Sequence, residues 1–259
     1  MIINHNLSAV NTHRNMGLNN TNAAKGMEKL SSGLRINRAG DDAAGLAVSE
    51  KMRGQIRGLE MAQRNVQDGI SYVQTAEGAM NEVSAMLSRM KELNVQKLTG
   101  TYESSDIKNI EEELTQLGNQ IDKIMDKTKF NGKAIAGSNA SAVSIQADDN
   151  DLTITISAIT TTSFKGLTSS SSLSKIEDAI KAVASERAKL GAVQNRLEYT
   201  SNNLGTTVEN LTAAESRIRD TDMAKEMVQL TKNNILLQAS QAMLSQANSA
   251  QQGVLSLLR

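Results

Sequence analysis

His5 and His13 are the two histidines of the chain. With the acidic run DDND at 148–151, they are the residues best suited to hold a metal or move a proton. Their spacing supports neither role. The histidines stand eight residues apart, with no HExxH around them and no carboxylates at ligand spacing. They read as structural or solvated histidines. The DDND run lacks the glycine and the ligand spacing of a calcium loop, so it reads as a solvated turn. No GxxxxGK(S/T), GxGxxG or GxSxG motif occurs. Cysteine is absent, which removes thiol nucleophiles, disulfides and Cys metal sites. No set of acid, base and nucleophile stands out, so the chain reads as a non-enzyme without a cofactor or metal.

The remaining polar candidates are modification sites. Asn6, Asn19, Asn139 and Asn210 open N-x-S/T triplets, most of them inside predicted helices. Residues 157–174 are Ser/Thr-rich, with Ser169, Ser170, Ser171 and Ser172 in a row. They read as an exposed loop whose composition permits O-linked sugar.

The elements that carry these residues are helices. Ile176, Val183, Leu190, Leu197, Leu204, Leu211 and Ile218 recur every seventh position, the seam of a helix packed lengthwise against others. At ~1.5 Å per residue such a helix is roughly 65 Å long, too long for the core of a compact globule. The composition agrees. Proline is absent, so no ring interrupts a long helix. Three Tyr, two Phe and no Trp leave the core to Leu, Ile, Val, Ala and Met. Lys+Arg and Asp+Glu are equal at 28 each, which argues against a dedicated nucleic-acid binder. No stretch approaches ~18 continuous apolar residues, so none spans a membrane. The opening MIINHNLSAVNTHRN has no basic start followed by an apolar run, so export, if it occurs, is expected to bypass the general secretory route.

In order, 1–34 reads as an Asn-rich helix with a broken stripe of Ile3, Leu7, Val10 and Leu18, weak alone and in need of a partner. Residues 31–45 read as a connector, with Asp41 or Asp42 capping the next helix. Its Arg35 and Arg38 serve either local ion pairs or a spoke against a neighbouring copy. A long helix over 43–99 carries Val73, Ala76, Met80, Val83, Leu87 and Met90 after a dip at Gly69. Ser104 or Ser105 caps a further helix with a seam of Ile110, Leu114, Leu117, Ile121 and Ile124. The period then changes to two. Val143 and Ile145, then Leu152, Ile154 and Ile156, alternate with polar residues as a β-hairpin arm after an Asn-Gly turn. Finally, Met223, Leu230, Leu237 and Leu244 form a heptad, with Val228, Ile235 and Ala242 beside it, and the end itself (Val254, Leu255, Leu257, Leu258) is apolar. Chain ends are usually polar and frayed.

The expected fold is mainly α: a long antiparallel helical bundle or coiled-coil rod, with paired terminal helices and a small β-hairpin arm at its far tip. The terminal seams call for burial between copies, and docking through non-identical faces yields an open helical filament.

Two stretches connect this reading to a family. SSGLRINRAGDDAAGLAVSEKMRGQIRGL (31–59) resembles the N-terminal signature of bacterial flagellins. ESRIRDTDMAKE (215–226), with the QANSAQQGVLSLLR ending, resembles their C-terminal signature. The variable surface insertion of many flagellins is missing, so the chain looks like a minimal form. The resemblance implies a structural subunit of the flagellar filament, exported unfolded by the flagellar type III apparatus and located outside the cell. It places 1–34 and 223–259 in the inner tube, 35–45 as the connector, and 43–222 as an outer-tube rod with the arm and Ser/Thr loop at about 130–174. Filament assembly then falls to Ile3, Leu7, Val10, Arg35, Asn37, Asp41, Asp42, Met223, Leu230, Leu237, Leu244, Leu255, Leu257 and Leu258. The implied partners are further copies, an export chaperone at the C-terminal segment, and the filament cap and hook-associated proteins. Host receptors complete the set: a Toll-like receptor reading Arg89, Leu93 and Glu113, and NAIP-type receptors reading Leu255, Leu257 and Leu258. The alternative is the hook–filament junction protein, whose connector usually departs from DDAAG. A cytoplasmic coiled-coil scaffold would leave both signatures unexplained.

Overall fold

The computed structural model describes residues 6–137, 140–150 and 152–257, and of residues 251, 252 and 254–257 the backbone alone. Ile3, His5, Asn139, Asp151 and Leu258 lie outside the described residues, as do the side chains of Val254, Leu255 and Leu257. The elements are α1 (Leu7–Ser32), α2 (Ala43–Lys97), α3 (Ser104–Lys127), β1 (Lys129–Phe130), β2 (Lys133–Ala134), β3 (Val143–Gln146), β4 (Thr153–Ile156), α4 (Leu173–Arg219) and α5 (Met223–Leu257). The fold is mainly α with a small antiparallel β region, as the periodicity predicts. The chain divides into two compact units, 1–54 with 210–259, and 55–209.

Residues 55–209 form a bundle built on one long row. Leu59, Ala62, Val66, Val73, Ala76, Met80, Val83, Leu87 and Met90 of α2 are buried at alternating steps of three and four, broken only where Gly69 stands. Ile176, Val183, Leu190, Leu197 and Leu204 of α4 are buried in the predicted series of seven. The two helices run antiparallel: Lys91 Nζ meets Glu177 at 3.0 Å, and Arg187 meets Glu77 at 3.4 Å. The α3 helix returns along α2, with Lys97–Glu111 at 2.6 Å and Arg89–Glu113 at 3.1 Å.

The α3 seam differs from the expected one. Its buried row is Ile110, Leu114, Gly118, Ile121 and Met125, while Leu117 and Ile124 are half-buried at its edge. Gly118 is part of the row because the carbonyl of Leu167 rests against it, where a β-carbon would overlap the oxygen. The α3 cap also differs. Glu103 occupies the cap position without a side-chain bond, and Ser104 and Ser105 are already helical. At the start of α2 the expected cap is present: Asp42 Oδ1 accepts from the Gly45 amide at 2.8 Å.

The β region does not sit at the far tip. The 24 residues of α3 carry the chain roughly 36 Å back along α2 before the strands begin. The β1–β2 turn places Asn131 (φ 47°) and Gly132 (φ 80°) in the left-handed region, the type I′ pattern of Asn-Gly hairpins. Phe130 then meets Tyr72 of α2 edge-on, ring centres 5.7 Å apart. The β3–β4 hairpin pairs Val143 with Ile156 and Ile145 with Ile154, and its Gln146 carbonyl accepts from Asn65 of α2 at 3.4 Å.

The Ser/Thr-rich stretch is not a free loop either. Ile159, Thr161, Phe164 and Leu167 are buried, Phe164 completely. Asn94 donates to the Ser171 carbonyl at 2.9 Å, and Lys97 to that of Ser169 at 3.1 Å. The segment packs without a regular period, so its apolar residues carry no pattern to read.

Candidate assembly surface

The unit of residues 1–54 and 210–259 pairs the chain's terminal helices. Asn6 caps α1, its side-chain oxygen accepting from the Ala9 amide at 3.1 Å, while its Nδ2 donates to the Ala247 carbonyl at 3.0 Å. Asn19 reaches Ser240 at 3.5 Å, and Gly26 lies against Glu226 and Leu230. The pair is therefore antiparallel. The α1 face turned to α5 is Ala9, Thr12, Met16, Asn19, Ala23, Gly26 and Leu30, at steps of three and four. The α5 face is Glu226, Leu230, Asn233, Leu237, Ser240, Leu244 and Ala247 in the same rhythm. Ala23 and Gly26 of α1 are buried where the two helices meet, with Leu230 of α5 against Gly26.

This arrangement reverses the apparent roles of the α1 residues. Leu7, Val10 and Leu18, the expected stripe, are all exposed, as is Met27. Alpha-helical spacing marks the inner face too, but apart from Met16 and Leu30 its residues are small or polar, which hydrophobic periodicity does not detect. On α5, Leu230, Leu237 and Leu244 are half-buried on α1, and Met223 at the first helical position is exposed. Val228 and Ile235 lie on the opposite side, 70% and 60% exposed. Met227, Val228, Thr231, Lys232, Ile235 and Leu236 line a shallow apolar groove there. From Asn233 to Leu258 no residue is charged. Uncharged residues lose little on leaving water when their polar groups are paired, and α1 covers only one side of α5.

The connector is tied to its own chain. The Arg35 amide donates to the Arg219 carbonyl at 2.6 Å, and its guanidinium to the Ile218 carbonyl at 2.5 Å. Leu34 and Asp220 form an antiparallel bridge. Arg38 meets Glu28 at 2.9 Å in a local ion pair. Asp41 closes the turn by accepting from the amides of Arg38 (3.0 Å) and Asn37 (3.2 Å). Those two donors, Arg38 first, hold its carboxyl below the usual carboxylate range, with Lys25 and Lys29 adding to the effect. Asn37 also donates through Nδ2 to Ser32 Oγ at 2.8 Å. Asp222, which sequence reasoning did not single out, caps α5 by accepting from Ala224 and Lys225 at 3.0 and 3.1 Å.

The other candidates lie in the 55–209 bundle. Arg89 and Glu113 join α2 to α3 on the surface, and Arg89 also reaches Glu92 at 3.4 Å. The carboxylates raise the Arg89 pKa, Glu113 most. Leu93 is 2% exposed, so it supports that face from below and offers no contact of its own. Ser170 and Ser172 are exposed, and Ser169 and Ser171 half-buried. Among the described residues no three His, Asp or Glu side chains converge as a metal site, and no helix is long and apolar enough to cross a membrane.

Comparison with known proteins bears on this geometry. A family model described as the bacterial flagellin N-terminal helical region matches residues 3–140, and one described as the bacterial flagellin C-terminal helical region matches 173–258. A flagellin of Halalkalibacterium halodurans is 54% identical over 272 aligned positions, covering 100% of both chains. A flagellin of Bacillus subtilis is 50% identical over 304 positions, again with 100% of both covered. The flagellar filament 33 kDa core protein of Treponema phagedenis is 46% identical, with 100% of each chain covered. Among solved structures, a crystal structure of Bacillus cereus flagellin superposes with a TM-score of 0.50 at 32% identity, covering 59% of this chain and 94% of that one.

Proposed function

The chain belongs to the bacterial flagellin family, and we propose that the outward apolar faces of its paired terminal helices are where copies join. It is a structural subunit of the flagellar filament. The observation that carries the assembly reading is the second apolar face of α5. Val228 and Ile235 stand opposite the leucines that meet α1. Burying a Val or Ile side chain is worth roughly 1.5–3 kcal/mol. Repeated along α5 and on Leu7, Val10 and Leu18 of α1, that burial favours ordering each new subunit on the filament end. Residues 1–34 and 223–259 form the inner tube in this reading, 35–45 the connector, and 43–222 the outer tube. Arg35, Asn37, Asp41 and Asp42 hold the connector in the shape that docking requires.

Family membership supports the finer partners of this proposal. An export chaperone holds the C-terminal segment before secretion, the subunit then functions outside the cell, and filament cap and hook-associated proteins bound the polymer. The role is structural, without catalysis. A host Toll-like receptor reads the Arg89–Glu113 face, with Leu93 beneath it, and NAIP-type receptors read Leu255, Leu257 and Leu258. Ser169 to Ser172 are the candidate sites for O-linked sugar, Ser170 and Ser172 being the exposed ones. Full-length identity to proteins named flagellin favours the filament subunit over the hook–filament junction protein.

The test is seeded growth. Purified protein added to short filament fragments is expected to give long uniform tubes by negative-stain electron microscopy. The same protein lacking 223–259 is expected to keep its 55–209 bundle and add nothing to the seeds. Persistent monomers from the full chain, or tubes from the truncated one, would overturn the reading.

A further inference from the structure

Three methionines of the bundle are sealed in its core, whereas four on the terminal helices are open to solvent. In the 55–209 bundle, Met80, Met90 and Met125 are buried at 0–1% exposure. On the terminal helices, Met27, Met223, Met227 and Met243 are 47–64% exposed. Met227 lines the apolar groove of α5, and Met243 flanks the leucine seam further along the same helix. Met227 lies on the face assigned above to subunit contact, and Met27, Met223 and Met243 are exposed elsewhere on the same two helices. Cysteine is absent from the chain, so methionine is the side chain here that mild oxidants attack most readily.

We infer that Met27, Met223, Met227 and Met243 are oxidation sites through which a peroxide disables the unassembled subunit while leaving its bundle folded. The inference rests on the assembly reading above. The sulfur donates an electron pair to one oxygen of hydrogen peroxide, and the O–O bond breaks. The departing hydroxide removes the proton left on the sulfur-bound oxygen and leaves as water. Sulfur is oxidised by two electrons, and the peroxide is reduced to water. The product is a polar sulfoxide where an apolar, adaptable side chain stood. In the monomer water solvates that sulfoxide. On the filament end it has to lose its water against the apolar face of a neighbour, so addition of the subunit stalls. Within a formed filament the same atoms are covered, so the polymer resists the oxidant that disables its precursor. Sulfoxide reductases act on both epimers, so the damage is reversible.

The experiment treats monomer and preformed filaments with the same hydrogen peroxide, maps sulfoxides by peptide mass spectrometry, and measures seeded elongation. Oxidised monomer is expected to keep its circular dichroism and to elongate at least tenfold more slowly than untreated monomer. The four methionines are expected to oxidise several-fold less in filaments. Restoring them with the A- and B-type methionine sulfoxide reductases is expected to restore elongation in step. For a variant carrying M27L, M223L, M227L and M243L, the ratio of treated to untreated elongation is expected to stay within twofold of one. Met61, exposed in the bundle, is the internal control, and its oxidation alone is expected to leave elongation unchanged. Normal elongation of fully oxidised monomer, equal oxidation of the four sites in filaments, or a block that survives complete reduction would each overturn the inference. If the leucine variant does not elongate at all, the reductase arm decides the question. Failure of untreated wild-type monomer to elongate is a separate outcome, which overturns the assembly reading and the inference with it.

Discussion

Ile145 of the β3–β4 hairpin fills the gap that Gly69 leaves in the buried row of α2. A β-carbon built at position 69 would overlap Ile145 Cδ1, with Leu197 of α4 next nearest. One side chain from a strand thereby completes a seam otherwise made by helices. Ile145→Ala leaves that socket empty on two sides, and α-helical backbone cannot collapse into it. The expected cost is about 2–4 kcal/mol, read as a lowered midpoint in urea unfolding. A midpoint unchanged from wild type would show that the hairpin is not part of the bundle core.

Glycines of the bundle separate into two kinds. At Gly118 a β-carbon would strike the Leu167 carbonyl, which is backbone and cannot swing aside, whereas at Gly78 nothing stands within 4 Å. Gly118→Ala is expected to destabilise by about 1–3 kcal/mol. Gly78→Ala is expected to stabilise by up to about 1 kcal/mol, because α2 gains helix propensity there without a clash. Thermal unfolding of the two variants checks both signs at once.

Two α5 substitutions separate folding from assembly. Ile235→Asp acts on the face away from α1, so monomer stability is expected to change by no more than about 0.5 kcal/mol while seeded elongation is lost. Leu237→Asp buries a carboxylate against α1, so α1 and α5 are expected to come apart in the monomer itself. Amide hydrogen exchange in α1 distinguishes them: protection is kept in the first variant and lost in the second. Loss of α1 protection in Ile235→Asp would mean that its face packs inside the monomer.

The connector turn is expected to depend on pH through Asp41. Its folded pKa lies below the usual range because the ionised carboxylate accepts from the Arg38 and Asn37 amides. A lowered folded value means the stabilisation is complete above the unfolded pKa, near ~3.9, and is lost as pH falls through the folded value. Protection factors of the Asn37 and Arg38 amides are therefore expected to be high at neutral pH and to fall below about pH 4. In Asp41→Asn they are expected to be lower at neutral pH and nearly flat with acid. Wild-type protection that stays equal from neutral pH down to acid well below the ordinary carboxylate range would rule out Asp41 as the group that closes the turn.

Local pattern by itself determined the helices and most of their buried rows. The series from Ile176 to Leu204 and the row from Val73 to Met90 are buried as their spacing requires, since helical period is a property of the chain and not of its partners. The Asn131-Gly132 turn and the hairpin alternation were legible for the same reason, as was the leucine heptad of α5. Tertiary structure alone decided which face meets which partner. On α1 the pairing face is mostly small and polar, with Met16 and Leu30 the larger members, and Leu7, Val10 and Leu18 are left outside. Periodicity identifies residues that share a face, but close approach of two backbones favours Ala and Gly over Leu, and only the partner's presence shows that. Gly118 gives no signal in the sequence, and the dip at Gly69 does not name its occupant, because a missing side chain acquires meaning from what occupies its place. Phe164 and Leu167 carry no sequence signal of their burial, because irregular backbone buries side chains without a period. The burial of Leu93, by contrast with the exposed Arg89 and Glu113, was settled by the direction in which α3 returns along α2.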